Sequence, residues 1–95
     1  MTEIAVEFQG ISRVLTKSKS AILYLDSTVT YREIIRRLAE MYPDLIGQVI
    51  NKDLMTFLGS NMLSVNGKRM IRPSDLDCFP QAGEKLILMS ILAGG

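Results

Sequence analysis

Histidine and tryptophan are absent from this 95-residue chain, and it has one cysteine, Cys78. Without His the chain lacks the usual neutral-pH general base and the commonest metal ligand. One thiol excludes an intramolecular disulfide framework. A strong charge of one sign is missing as well. Eleven basic and ten acidic residues leave a net charge of +1, too weak a field to steer toward phosphate backbones, so no nucleic-acid partner is expected. No apolar run approaches the roughly 20 residues that span a bilayer. The longest, Leu86 to Leu92, is interrupted by Ser90, so no membrane partner is expected. The opening MTEIAVEFQG has early acidic residues and no signal-type apolar stretch, from which a cytoplasmic location is expected. A phosphate loop, a Cys pair and a carboxylate dyad of diagnostic spacing are all lacking, which leaves a metal site or an autonomous hydrolase without support.

What is present describes one domain over residues 1–95. The chain is 47% apolar and 22% charged, enough to bury a core and too short to divide into two. Ile4, Val6 and Phe8 alternate with Glu3, Ala5 and Glu7, the period of a strand with one buried face. Gly10 punctuates, and a basic, solvated loop with Arg13, Lys17 and Lys19 leads into a second strand over Ala21 to Leu25, so the two are expected to form a hairpin. Tyr31, Ile34, Ile35, Leu38 and Tyr42 then share one face of a helix. Thr30 and Glu33 make a capping box at its start, and Pro43 ends it.

Beyond the helix, Leu45, Ile46, Val49, Ile50 and Leu54 have helical spacing weakened by Gly47, which predicts a short, irregular helix within Asp44 to Phe57. Met62, Leu63 and Val65 lead into Asn66-Gly67, a dipeptide suited to a two-residue hairpin turn, with a return strand over Lys68 to Ile71. Lys85 to Ile91 reads as a central strand, apolar on both faces. Either Leu86 and Leu88 or Ile87, Met89 and Ile91 point inward, and the pattern does not choose. A lone Cys78 between Asp77 and Phe79 is expected to be a small buried hydrophobe. The order predicts an α+β fold: a mixed sheet with one main helix, the first strand parallel to the last, which is the β-grasp arrangement.

Four stretches carry a family resemblance: Val6 to Gly10, Thr28 to Pro43, Val65-Asn66-Gly67, and Gly83-Glu84-Lys85-Leu86 leading to Gly94-Gly95. Together they span nearly the whole chain, which resembles the ubiquitin-like β-grasp sulfur carriers, the small subunit of molybdopterin synthase and the related thiamine sulfur carrier. The resemblance implies a flexible tail over about 92–95 and a carrier rather than an enzyme. It implies that a ubiquitin-activating-like enzyme uses ATP to adenylate Gly95, that a persulfide sulfur converts it to a thiocarboxylate, and that a partner consumes the sulfur. That partner is expected to be the molybdopterin synthase large subunit or another sulfur acceptor, with no cofactor bound to the carrier itself.

Gly94 and Gly95 suit this chemistry because they offer no side chain to obstruct a narrow channel and can take backbone angles closed to other residues. A carboxylate is a poor electrophile, so it needs activation as a mixed anhydride before a nucleophile attacks. Apolar residues near the tail, Leu86, Leu88, Ile91 and Leu92, are candidates for a contact patch, with Leu92 and Ala93 favoured because they lie beyond the strand. Two departures stand out. Met89-Ser90-Ile91-Leu92 replaces the Pro residues common before the tail in this family, and Asn51 to Asn61 is more apolar than a solvated connection requires. Molybdopterin is favoured over thiamine by the longer helix-to-hairpin insertion. The other readings are a protein modifier joined to lysines through Gly95, and an interaction module that has kept the fold without the chemistry.

Overall fold

The expected alternation places the first strand where its even residues can enter a core. The computed structural model describes residues 2–90. Strand β1 (Thr2–Phe8) buries Ile4, Val6 and Phe8. Helix α1 (Ile11–Thr16) precedes β2 (Ser20–Leu25), and α2 (Tyr31–Met41) follows. The chain continues through β3 (Asn61–Val65), β4 (Arg69–Met70) and β5 (Lys85–Ser90), with short 3₁₀ turns at Pro43–Leu45 and Pro73–Asp75. The strands lie in the order β2-β1-β5-β3-β4. β1 pairs antiparallel with β2 and parallel with β5, while β3 pairs antiparallel with both β4 and β5. This is the β-grasp sheet, with the chain's first and last described strands side by side at its centre.

One sheet face is closed by α2. Tyr31, Ile34, Ile35, Leu38 and Ala39 are buried against it, each large aliphatic contributing about 1.5–3 kcal/mol of transfer free energy. The helix starts at Thr30, whose hydroxyl accepts from the Glu33 backbone N–H at 3.3 Å. The other half of the expected capping box is replaced: the Glu33 carboxylate turns to Arg36 and Arg37, because two cations one turn along outcompete a single backbone donor. At the far end the Tyr42 ring meets Phe8 edge-on, centroids 5.2 Å apart, tying the end of α2 to β1.

Four expectations are corrected. The link between β1 and β2 contains α1 and is not a simple solvated loop. Residues 46–57 form no helix: Gly47 at φ +86° and Leu54 at φ +59° break the helical path. The backbone N–H groups of Gln48, Val49 and Ile50 instead converge on the Leu45 carbonyl at 3.2, 2.9 and 2.9 Å, and Leu45, Val49 and Ile50 are still fully buried. The return strand is shorter than expected, Arg69–Met70. Cys78 is exposed; its backbone is occupied by a bond from its N–H to Asp75 and one accepted from Tyr31 N–H, and the turn leaves the thiol outside the core. Leu54 and Phe57 pack on the core, which accounts for the apolar character of 51–61.

Candidate functional site

The tail residues singled out from sequence, Leu92, Ala93, Gly94 and Gly95, together with Ile91, lie outside the described residues. What the structure describes is the strand that precedes them, β5. β5 runs through the middle of the sheet and its described end, Ser90, lies opposite Asn61 of β3. Leu86 and Leu88 point into the core and are fully buried. They are therefore core residues and not the contact patch proposed for them: the register that opposes Leu86 to Val6 and Val65, and Leu88 to Phe8 and Leu63, leaves no other face for them. Ile87 and Met89 occupy the outer face, half-buried, with Met62 directly across from Met89 and Ser64 across from Ile87. The partly exposed apolar residues on the outer face of β5 and its β3 neighbour are thus Met62, Ile87 and Met89.

The end of β5 is gripped by residues that the sequence did not announce. Gln9 N–H donates to the Leu88 carbonyl at 3.0 Å. The buried Ser12 hydroxyl stands 3.0 Å from that same carbonyl and 2.9 Å from the carbonyl of Gln9, so one proton is shared between the two. α1 exists where it does because Gly10, at φ 65° and ψ −134°, takes a conformation open to glycine and turns the chain sharply out of β1. Across the strand end, Ser60 and Ser90 hydroxyls are 2.8 Å apart. Gln9, Gly10, Ile11, Gly59, Ser60, Asn61, Met89 and Ser90 enclose an open cleft of about 530 Å³. The described end of β5 therefore lies beside a shallow, largely apolar depression.

The start of β5 is fixed as firmly. The Tyr31 hydroxyl donates to Glu84 Oε1 at 2.6 Å in a buried contact that ties the first turn of α2 to the residue before β5. Burial pushes the Tyr31 phenol well above its ordinary pKa, and the Glu84 carboxylate adds to the rise. On the outer face Lys85 Nζ reaches Glu7 Oε1 at 2.9 Å, joining β5 to β1. Glu7 is held below the usual carboxylate range, first by its hydrogen bond to Lys85 and then by that to Gln9. A lowered carboxylate pKa adds stability above the unfolded value and loses it as pH falls through the folded one. In Lys85→Ala, NMR titration of Glu7 is expected to move its midpoint upward toward that of a free glutamate; an unmoved midpoint would mean that Gln9 alone holds it.

Among the described residues no group of three or more His, Cys, Asp or Glu is arranged to hold a metal ion, and no helix is long and apolar enough to cross a membrane. Arg32 grips Asp77 in a two-pronged ion pair, 2.9 and 3.1 Å, next to the exposed Cys78. That pair ties α2 to the segment before β5.

No protein-family model matches the chain, and no curated protein sequence matches it. Solved structures do. The chain is similar to SAMP1 of Haloferax volcanii, with a TM-score of 0.78 at 18% identity, over 98% of this chain and 99% of that one. It is similar to a Pyrococcus furiosus chain assigned as molybdopterin converting factor subunit 1, TM-score 0.70, 14% identity, 95% and 98% covered. A chain of the Amycolatopsis orientalis BexX/CysO complex gives a TM-score of 0.68 at 20% identity, 97% and 99% covered. These neighbours are ubiquitin-like β-grasp proteins, and at such identities the likeness is one of fold.

Proposed function

We propose that this chain is a ubiquitin-like sulfur carrier whose Gly95 carboxylate is activated by a separate adenylating enzyme and converted to a thiocarboxylate, with molybdopterin synthesis as the pathway. The observation that carries the reading is the central β5, anchored at both ends, whose last described residue, Ser90, is followed in sequence by Ile-Leu-Ala-Gly-Gly, with no side chain in the last two residues. The names of similar structures support the class, since they include a modifier protein and a molybdopterin converting factor subunit.

The chemistry resides in the partner. In the activating enzyme, the Gly95 carboxylate oxygen attacks the α-phosphate of ATP and pyrophosphate leaves. The terminal sulfur of a persulfide then attacks the acyl carbon and AMP leaves. A second thiol cleaves the resulting acyl disulfide, taking the donor's sulfur into a new disulfide and freeing the thiocarboxylate. The carrier supplies position: a rigid sheet, a narrow terminus and a docking face. Met62, Ile87 and Met89 supply the apolar part of that face, because they are the half-buried apolar residues on the outer face of the strand that precedes the tail in sequence and of its β3 neighbour. Ile87→Asp and Met89→Asp together are expected to raise KM for adenylation at least about tenfold while kcat changes little, as loss of uniform binding does. A fall confined to kcat would place the docking face elsewhere.

The test of the function is intact mass spectrometry after incubation with ATP, an activating enzyme and a persulfide donor. A mass gain equal to exchanging one oxygen for sulfur, absent when Gly95 is deleted, is the expected result. Isopeptide-linked species carrying a Gly-Gly remnant would support the modifier reading, whose adenylation step is the same and whose acceptor is a lysine.

A further inference from the structure

The two edges of the sheet are unlike each other. β4 is two residues long and carries Arg69 beside Lys68, a short, charged edge of the kind that resists pairing. β2 is six residues, Ser-Ala-Ile-Leu-Tyr-Leu, with no charge and no Pro. Its backbone phase is set by the bond from Phe8 N–H to the Lys19 carbonyl and by the antiparallel register that follows, Val6 opposite Ala21 and Ile4 opposite Leu23. Bonded pairs alternate in such a ladder, so Ala21, Leu23 and Leu25 turn their N–H and C=O groups to β1, and Ser20, Ile22 and Tyr24 turn theirs to the open edge. Among the described residues the partner along that edge is Arg37, whose guanidinium lies 3.5 Å from the Tyr24 carbonyl, at the outer limit of a hydrogen bond. The side chains at the same positions are exposed, Ile22 by 46% and Tyr24 by 60%.

We propose that β2 is a self-pairing edge through which two copies of this chain join antiparallel, related by a two-fold axis at Ile22. The phase fits. With Ile22 opposite Ile22 of the second copy, Ser20 falls opposite Tyr24, and all three outward-turned residues form hydrogen-bonded pairs of two bonds each. The side chains fit too: the two Ile22 meet on the outer face, and each Tyr24 ring lies over a serine, with no like charges opposed. The ends of the strand choose this direction. It starts after Lys17 and Lys19 and stops before Asp26, so an antiparallel pair brings the acidic end of one copy to the basic end of the other, while a parallel pair opposes like charges. The outcome is isologous and closed, as a two-fold dimer requires. Because β5 lies two strands in from β2, the axis sends the two Ser90 ends to opposite rims of a continuous ten-stranded sheet, and both remain clear of the junction.

This inference stands apart from the carrier chemistry, and its test is physical. Sedimentation equilibrium of the full chain is expected to show a concentration-dependent dimer. At a protein concentration about ten times Kd, where about a fifth of the chains stay monomeric, the amides of Ile22 and Tyr24 are expected to exchange about fivefold more slowly than in the dilute monomer. Ile22→Lys, which opposes two lysines at the axis, is expected to be a folded monomer by circular dichroism and sedimentation. A monomer at every concentration overturns the proposal, as does a dimer in which the Ile22 and Tyr24 amides exchange as before. A wild-type edge that is protected only when a different protein is added overturns it as well, in favour of a heterologous strand. The amide measurement uses the unaltered chain, so it decides the matter even where the lysine variant fails to fold.

Discussion

Deletion of Gly95 is expected to abolish ATP–pyrophosphate exchange by the activating enzyme, a loss of at least about 100-fold. The carboxylate that remains, on Gly94, stands short of the original position by roughly 3.3–3.6 Å, the length of one extended residue, and even a 1 Å misplacement of a reacting group costs about 100-fold. The sheet resists compensation. β5 cannot slide forward to extend the reach, because a one-residue slip would turn Leu86 and Leu88 out of the core, and a two-residue slip would break the grip of Gln9 and Ser12 on the Leu88 carbonyl. Gly95→Ala keeps the length but adds a methyl group where a narrow channel is proposed, and it is expected to fall between wild type and the deletion. Retention of exchange by the deletion would remove Gly95 from the chemistry.

Leu88→Ala should destabilise the fold by about 3 kcal/mol. Leu88 is fully buried in the central strand, between Phe8 on β1 and Leu63 on β3, and large-to-small changes at such sites cost about 2–5 kcal/mol through lost transfer energy and a cavity. For a chain of this size that corresponds to a fall in Tm of roughly 12–24 °C. Met89→Ala, one residue along and half-buried on the outer face, is expected to cost about 1 kcal/mol or less. The contrast separates the two faces of β5 in a single thermal-melt experiment. Equal losses at both positions would mean that the outer face is covered as completely as the inner.

The same contrast shows where the sequence was readable. α2 is marked three times over, by its cap at Thr30, its i, i+3, i+4 apolar face and Pro43, and the structure follows each except the return bond from Glu33. The existence and central place of β5 were legible from its continuous apolar run. Its inward face was not, because both sets of alternate residues are apolar. α1 escaped for the opposite reason. Its buried residues are the polar pair Ser12 and Thr16, one turn apart, while Ile11 and Val14 face outward, so a search for a buried apolar stripe passes over it. The signal available was Gly10 followed by Ser12, a turn and a hydroxyl able to reach a carbonyl. In 46–57 the apolar spacing was real but answered to a different constraint. Leu45, Val49 and Ile50 reach the core around a single turn at Gly47, whose positive φ leaves the helical path while keeping apolar residues at helix-like spacing. The tail chemistry came from the family resemblance and from the lack of side chains at Gly94 and Gly95, and those residues lie outside the described part of the chain.

The central pairing of β1 with β5 also bears on how the chain is made. Ala5 and Lys85, about eighty residues apart, sit side by side, so the middle of the sheet can close only after synthesis has passed through β5. Long-range pairing of this kind pays loop-closure entropy before any contact rewards it, and slows folding. A nascent or prematurely terminated chain that stops before residue 85 lacks the strand that joins β1 to β3. It holds two separate antiparallel hairpins with an unfilled seam between them, each marginal in water. Such a fragment is a substrate for proteolysis rather than a folded competitor. The topology therefore acts as a completeness check, reserving the folded surface for chains that have been read through to β5.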